Sequence, residues 1–192
     1  MAFTIWTCRM LAPGERLVAV LDTCVLAPMP LCDTLLRLAE EPAVYTPKWS
    51  GNILRELRST LQRMGYTASQ ADRRIVAMTT AFEDANVDEY ENLIDEMKNH
   101  PKDRHVLAAA VRCEAQAIVT FNVKDFGQAA LTPYGVEVLT PDQFLLFHHH
   151  SSAELLMQKL AAQAVVRRVS LDELLGRLER VAPDCVRLLR RS

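Results

Sequence analysis

The sequence lacks paired cysteines, a long apolar run and a marked excess of either charge, and each absence excludes a class of protein. No CxxC pair occurs, which argues against a zinc knuckle or a disulfide framework and favours reduced thiols. The five scattered cysteines are Cys8, Cys24, Cys32, Cys113 and Cys185. No apolar run approaches the roughly 20 residues that span a bilayer. The formal net charge of −2 gives no overall attraction to nucleic acid, so contacts with a polyanion must be local.

The chain also lacks the features of an exported protein. Residues 1–16 show no hydrophobic period and no basic region followed by an apolar stretch and a cleavage site. We therefore predict a loose leader, a cytoplasmic location and no membrane contact. A chain of 192 residues with 49% hydrophobic content can bury the core of one domain, with room for a small appendage.

Short unbroken apolar runs predict strands that are buried on both faces. The clearest are VAVL at residues 18–21, AIVTF at 117–121 and GVEVL at 135–139, with a further short strand predicted at 86–88. Amphipathic helices separate these runs, the first of them in LCDTLLRLAEE after Pro30. Strands that alternate with helices predict an open α/β sheet.

Capping residues predict where the helices begin. Thr46 and Pro47 are typical of an N-cap and a first helical turn, for a helix that ends at Gly65. Its predicted apolar stripe is Trp49, Ile53, Leu57, Leu61 and Met64. Thr67 or Ser69 caps the next helix, whose predicted inner residues are Ile75, Val76, Met78, Thr79 and Phe82.

The composition changes towards the C-terminus. Thr140 predicts the cap of a helix that reaches His148, and the triplet at 148–150 predicts a boundary between helices with adventitious affinity for metal. Residues 151–192 have a helical pattern throughout, with Ser170 and Glu173 placed as a capping box. We predict two domains, at 17–147 and 148–192, the second a helical extension.

Four acidic residues stand where predicted elements end or begin: Asp22, Glu56, Asp103 and Asp125. Because ligands bind at the carboxyl ends of parallel strands, Asp22 and Asp125 are expected at one crevice. Converging carboxylates raise each other's pKa values, and divalent cations with a preference for oxygen ligands relieve that repulsion. Each acid also has an ordinary explanation: a turn or cap for Asp22 and Asp125, a surface ion pair for Glu56, and a first-turn acid for Asp103.

With these residues in view, the sequence resembles the PIN-domain ribonucleases, and among them the bacterial VapC-type toxins of toxin–antitoxin systems. The similarity is carried by LDTCVL, TPKWSGNILREL, KDRHVLAAA and IVTFNVKDF, in that order, and covers roughly residues 17–147. It implies a three-layer α/β/α fold with a parallel sheet and Mg²⁺- or Mn²⁺-dependent cleavage of RNA. It also implies a small antitoxin protein as partner and leaves homodimerisation open.

By motif match, the resemblance assigns metal-binding and catalytic roles to Asp22, Glu56, Asp103 and Asp125, and a polar position to Asn122. Metal held by the three aspartates would polarise a phosphate oxygen, while Glu56 would bind metal through water or accept a proton. One departure stands at the KDRH segment: relatives often have a further acid just before it, and this chain has His100, Pro101 and Lys102 there. A second metal position is therefore expected to be weak or absent.

Basic side chains near the predicted acids are candidates for contacts with RNA phosphates. We predict that Arg55, Arg58 and Arg104 bind substrate together with Asn122, although ordinary solvated helix faces explain such arginines as well. Trp49 is expected to pack in the core rather than to stack on a base. His105 and Arg104 are candidates to orient substrate or to pair with carboxylates, while an outward-facing surface position is the ordinary expectation for both.

Two other functions compete with a nuclease. A haloacid-dehalogenase-type phosphatase would need a second acid two residues after Asp22, where Cys24 stands instead. The stronger alternative is a catalytically silent PIN-like module that binds RNA or protein through its C-terminal helices.

Overall fold

A five-stranded, wholly parallel sheet forms the centre of the protein. The computed structural model describes residues 15–191; residues 1–14, which include Cys8 and most of the predicted leader, and residue 192 lie outside it. The spatial order is β3-β2-β1-β4-β5. The strands are β1 (Leu17–Leu21), β2 (Tyr45–Ser50), β3 (Asn86–Val87), β4 (Ala117–Val119) and β5 (Glu137–Leu139).

Helices connect and cover these strands. Within residues 15–191 they are α1 (Thr23–Leu26), α2 (Leu31–Ala39), α3 (Gly51–Arg63), α4 (Ala68–Ala81), α5 (Arg104–Arg112), α6 (Gln128–Leu131), α7 (Pro141–Arg167), α8 (Leu171–Leu178) and α9 (Pro183–Leu189). Short 3-10 turns at Pro101–Asp103 and Val123–Asp125 lie beside the candidate site. Helix α5 packs on β1, β2 and β4, while α2 packs on β2 and on α7. The predicted three-layer α/β/α fold with a parallel sheet and C-terminal helices is confirmed.

The central strands β1 and β4 follow directly from the apolar runs in the sequence. Every residue of β4 is buried, and β1 pairs with it in the register Leu21 to Val119. The chain proceeds from β1 to β2 and β3 on one side and returns to β4 and β5 on the other. A parallel sheet opens a crevice where the strand order reverses, at the carboxyl ends of its strands. That crevice lies between the ends of β1 and β4.

The prediction that a helix begins at Thr46 and Pro47 is wrong. These residues belong to β2, and α3 begins only at Gly51, with the Ser50 side chain accepting a hydrogen bond from the Ile53 N–H. Proline has no N–H to donate, so it fits a strand only where one side lacks a partner. Strand β3 pairs with Trp49 and Ser50 alone, which leaves Pro47 paired on the β1 side only. Trp49 is fully buried in the core, as predicted.

Helix α4 begins as predicted but buries less than predicted. Thr67 is its N-cap and forms a capping box with Gln70. Only Ala71 and Met78 of this helix are buried, whereas Val76 is 61% exposed. Met64, predicted in the stripe of α3, is also exposed. The reason is that α4 packs mainly on α3, so it needs only a narrow apolar face.

The C-terminal helices are joined to the sheet layers by α7. A helix that reaches His148 and a boundary between helices at 148–150 were predicted, and the structure agrees closely. Helix α7 consists of two helices that meet at a kink at Ser152, where the backbone is non-helical, and the second of them ends at Arg167. Buried Gln163 accepts a hydrogen bond from Thr34 in α2, and Arg167 forms an ion pair with Asp33. The predicted domain boundary between residues 147 and 148 lies inside α7 and stays a prediction.

Two expectations from the sequence, reduced thiols and no membrane-spanning helix, can be compared with the described part of the chain. Its four cysteines are free thiols: Cys24, Cys32, Cys113 and Cys185. Among residues 15–191, no helix combines the length and the apolar character that a bilayer crossing requires.

Candidate active site

A cleft of about 760 Å³ opens at the carboxyl edge of the sheet. Its lining includes Asp22, Glu56, Asp103 and Asn122, which come from four separate stretches of sequence. A second groove, of about 790 Å³ along α4, contains none of the four predicted acids. Volume therefore does not show which of the two is the candidate active site. The acids that line the first cleft single it out.

Asp22 follows β1 and lies 3% exposed at the base of the cleft. Its Oδ2 accepts a hydrogen bond from Thr120 Oγ1 at 2.6 Å and another from Cys24 Sγ at 3.1 Å. Thr120 in turn accepts from the Asn122 N–H at 3.0 Å. The loops after β1 and β4 are thus tied together through one carboxylate oxygen.

Glu56 lies in the second turn of α3 and is held at both carboxylate oxygens. Thr23 Oγ1 donates to Oε2 at 3.2 Å, and His105 Nε2 lies 3.1 Å from Oε1. His105 lowers the pKa of Glu56 more than partial burial raises it, with smaller help from Thr23 and Lys102. Glu56 therefore remains ionised in the cleft.

Asp103 precedes α5 and is buried, with its Oδ2 lacking a hydrogen-bond partner among the described residues. Burial raises the pKa of this carboxyl, and the charges of Asp22 and Asp125 raise it further. Asp125 does not line the main cleft, but its carboxylate lies within 4.8 Å of the ligand atoms of Asp103 and His100. The Asp125 carbonyl also accepts from the His100 N–H at 2.9 Å.

This arrangement fits a divalent cation. A buried carboxylate oxygen without a donor is costly unless a positive group satisfies it. No lysine or arginine of residues 15–191 forms an ion pair with Asp22, Asp103 or Asp125. The nitrogens close to acids at the cleft belong to histidines, His100 at 3.9 Å from Asp103 and His105 at 3.1 Å from Glu56. Carboxylates are the ligands that Mg²⁺ and Mn²⁺ prefer. Asp103 and Asp125, whose ligand atoms lie within 4.8 Å of each other, could hold such an ion. Asp22 is near enough to raise the pKa of Asp103 and could complete the set, while Glu56 lines the same cleft.

Comparison with known proteins agrees with this geometry. The sequence profile of the PIN domain matches residues 18–124, more than half of the chain. The chain belongs to the PIN domain family. It is 48% identical over 90 residues to a Mycobacterium tuberculosis protein named "Putative ribonuclease VapC50". That match covers 46% of this chain and 51% of the relative, so the chain spans about half the length of the curated relative it matches. No solved structure matches significantly.

The basic residues predicted to bind substrate are distributed unevenly around the PIN-domain cleft. Arg55 lines it, as do Arg63 and Lys102. Arg58 lies outside the lining and forms a two-point ion pair with Asp72 on α4. Arg104 donates to the Asn99 carbonyl at 3.4 Å. The substrate-binding roles of Arg55, Arg58, Arg104 and Asn122 stay predictions.

Several residues that support the acids were missed or misjudged from the sequence. Thr23, Cys24 and Thr120 were given no role, although all three contact Asp22 or Glu56. The ordinary expectation that His105 faces outwards is wrong, since His105 is buried; the alternative, a pairing with a carboxylate, agrees with its Nε2 lying 3.1 Å from Glu56 Oε1. The signal was its setting, since the helix DRHVLAAAV has no polar side between Arg104 and Arg112 and therefore buries almost every residue.

Proposed function

We propose that this PIN-domain chain is a metal-dependent endoribonuclease that hydrolyses phosphodiester bonds in single-stranded or structured RNA. The observation that carries the proposal is the buried, unpartnered Oδ2 of Asp103 beside Asp22 and Asp125. Family membership and the identity to a relative named as a ribonuclease support the same reaction class.

The proposed cofactor is Mg²⁺ or Mn²⁺, held by Asp22, Asp103 and Asp125. When bound, such an ion supplies Lewis acidity that stabilises negative charge on a phosphate oxygen and acidifies a nearby water. Glu56, kept ionised by His105, is available to accept a proton from that water. Thr120 donates a hydrogen bond to Asp22, and Arg55 and Lys102, which line the cleft, would contact the phosphates of the RNA.

The charge balance of the cleft argues against a silent binding module. In such a module, a lysine or arginine would neutralise the acidic cluster permanently. Lys102 is close enough to lower the pKa values of Asp103 and Glu56, yet it forms no ion pair with either. Three acids without a fixed cation suit a site that takes a metal ion.

We further propose that the chain is the toxin of a toxin–antitoxin pair and acts in the cytoplasm. The support is its similarity to a VapC-named relative over about half of that protein's length. The expected partners are an RNA substrate and a small antitoxin, with residues 17–147 as the nuclease domain and 148–192 as a helical extension.

A cleavage assay tests the proposal. Purified wild type, Asp22→Asn and the control Asp95→Asn are incubated with a mixed single-stranded RNA, with Mg²⁺ or Mn²⁺ and with chelator. Asp95 is an exposed acid outside the cleft, so its loss controls for a change in net charge. We expect cleavage by wild type and Asp95→Asn only with metal, and none by Asp22→Asn. Undiminished cleavage by Asp22→Asn, or equal cleavage in chelator, would refute the proposal.

A further inference from the structure

The cleft has a second group of possible metal ligands at its edge, and one of them is a histidine. His100, Asp103 and Asp125 each offer a ligand atom, and these atoms all lie within 4.8 Å of one another. His100 Nδ1 is 3.9 Å from Asp103 Oδ2, the same oxygen that lacks a hydrogen-bond partner. Among the described residues, this oxygen of a residue only 5% exposed therefore has the imidazole nitrogen beside it and no hydrogen-bond donor.

The backbone holds these three residues in place. The Asp125 carbonyl accepts from the His100 N–H, and the His100 carbonyl accepts from the Asp103 N–H, both at 2.9 Å. His100 is thus connected to each of the two acids through its main chain. The His100 side chain is 55% exposed, which leaves the group open to an ion arriving from solvent.

The Nδ1 atom of His100 is little engaged by the protein itself. It accepts a long hydrogen bond of 3.4 Å from the Lys102 N–H. Among residues 15–191, that bond and the 3.9 Å approach to Asp103 Oδ2 are the polar contacts of this nitrogen. Imidazole nitrogens are common metal ligands, so Nδ1 can add a nitrogen to the two carboxylates.

We propose that His100, Asp103 and Asp125 form a second metal site, with mixed nitrogen and oxygen ligands, that takes Mn²⁺ in preference to Mg²⁺. The inference rests on the proposed metal-dependent function and deepens it. Two carboxylates balance the charge of a divalent ion, and both of them, Asp103 and Asp125, are shared with the first site, so His100 is the ligand that belongs to the second site alone. Imidazole suits transition metals better than it suits Mg²⁺, which keeps oxygen ligands and water. With His100 as a ligand in place of a further carboxylate, the second site should prefer Mn²⁺ to Mg²⁺.

Mn²⁺ binding without RNA tests the inference independently of activity. The metal-free full chain is titrated with Mn²⁺ and followed by electron paramagnetic resonance, and pulsed measurements detect ¹⁴N coupling from a directly bound imidazole. His100→Ala is compared with wild type and with His150→Ala, a matched control because His150 is an exposed histidine in α7. Competition with Mg²⁺ measures the preference, and melting curves without metal verify folding.

We expect wild type and His150→Ala to show ¹⁴N coupling, and His100→Ala to lose it. The affinity for the second Mn²⁺ should fall by on the order of tenfold or more in His100→Ala, since even outer-shell groups contribute about that factor. Affinity for Mg²⁺ should change much less. Coupling that persists in His100→Ala, or that is absent from a tightly bound wild type, would overturn the inference and leave the proposed nuclease intact. Absence of any Mn²⁺ binding by wild type would overturn both.

Discussion

Thr120 donates its hydroxyl proton to Asp22 Oδ2 at 2.6 Å and so joins the ends of the two central strands. The same hydroxyl accepts the Asn122 N–H, and no part of Thr120 is exposed. Thr120→Val keeps the shape but leaves both partners without this contact. We expect it to lower the free energy of unfolding by about 1–3 kcal/mol. We also expect Mn²⁺ affinity to fall about 10–100-fold, the usual effect of losing an outer-shell hydrogen bond.

Thr120→Ser is the control for this change, since serine retains the hydroxyl and loses only a methyl group. Denaturant unfolding and Mn²⁺ titration of the three proteins separate the two effects. If Thr120→Val bound Mn²⁺ as tightly as Thr120→Ser, the hydroxyl would have no part in orienting Asp22.

His105 controls the ionisation of Glu56. Its removal in His105→Ala should move the pKa of Glu56 upwards, because the histidine is the largest influence lowering it. A lowered pKa stabilises the folded state above the ordinary pKa of glutamate, and this contribution disappears as the pH falls through the folded-state value. As the pH falls from the ordinary pKa of glutamate through the lowered pKa of Glu56, His105→Ala should therefore lose less stability than wild type. Carboxyl ¹³C titration of Glu56 by NMR measures the shift, and an unchanged pKa would contradict the assigned contact.

In the metal-free protein, Asp103 should affect the pH dependence of stability in the opposite direction to Glu56. Its raised pKa means that the folded state holds the proton more tightly than the unfolded chain. Its contribution to stability therefore falls as the pH rises from the ordinary pKa of aspartate through the raised value. At neutral pH without metal, Asp103→Asn should be at least as stable as wild type. With Mn²⁺ at 100 times its dissociation constant, wild type should gain about 2.7 kcal/mol and the mutant much less. Thermal unfolding with and without Mn²⁺ measures both, and a mutant that is less stable without metal would contradict the electrostatic account.

Cys24 should react slowly with alkylating reagents although it lines the cleft. Burial raises the pKa of its thiol to about 12, and the charge of Asp22 adds to the effect. Because the thiolate is the reactive form, labelling by iodoacetamide at pH 8 should be slow in wild type and faster in Asp22→Asn. Peptide mapping by mass spectrometry resolves Cys24 from the other cysteines. Equal labelling rates in the two proteins would show that Asp22 does not hold the thiol protonated.

The central strands and the helix caps were predictable because their signals are local. The apolar run before Asp22 and the run before Thr120 are too short and too continuous to be amphipathic helices. The first forms β1 and the second forms β4. Thr67 and Thr140 each begin a helix with a capping box, as their sequences indicate. Asp22 could be assigned to the crevice because it directly follows such a strand.

Contacts between distant segments could not be predicted in this way. Pro47 fits the first turn of a helix as well as it fits a strand, and only the short pairing of β3 with β2 decides between them. The sequence indicates that His105 is buried, but its partner Glu56 lies 49 positions earlier in the numbering and on another helix. Likewise, only the fold brings His100 to Asp125, whose carbonyl accepts from the His100 N–H.

The central claim is that a divalent ion belongs among these carboxylates, and a crystal structure of the protein soaked in Mn²⁺ tests it most directly. Anomalous scattering locates Mn²⁺ without ambiguity. We predict a peak within bonding distance of carboxylate oxygens from at least two of Asp22, Asp103 and Asp125. A soaked crystal without a peak in the cleft, and with Lys102 folded onto Asp103 in its place, would contradict the account.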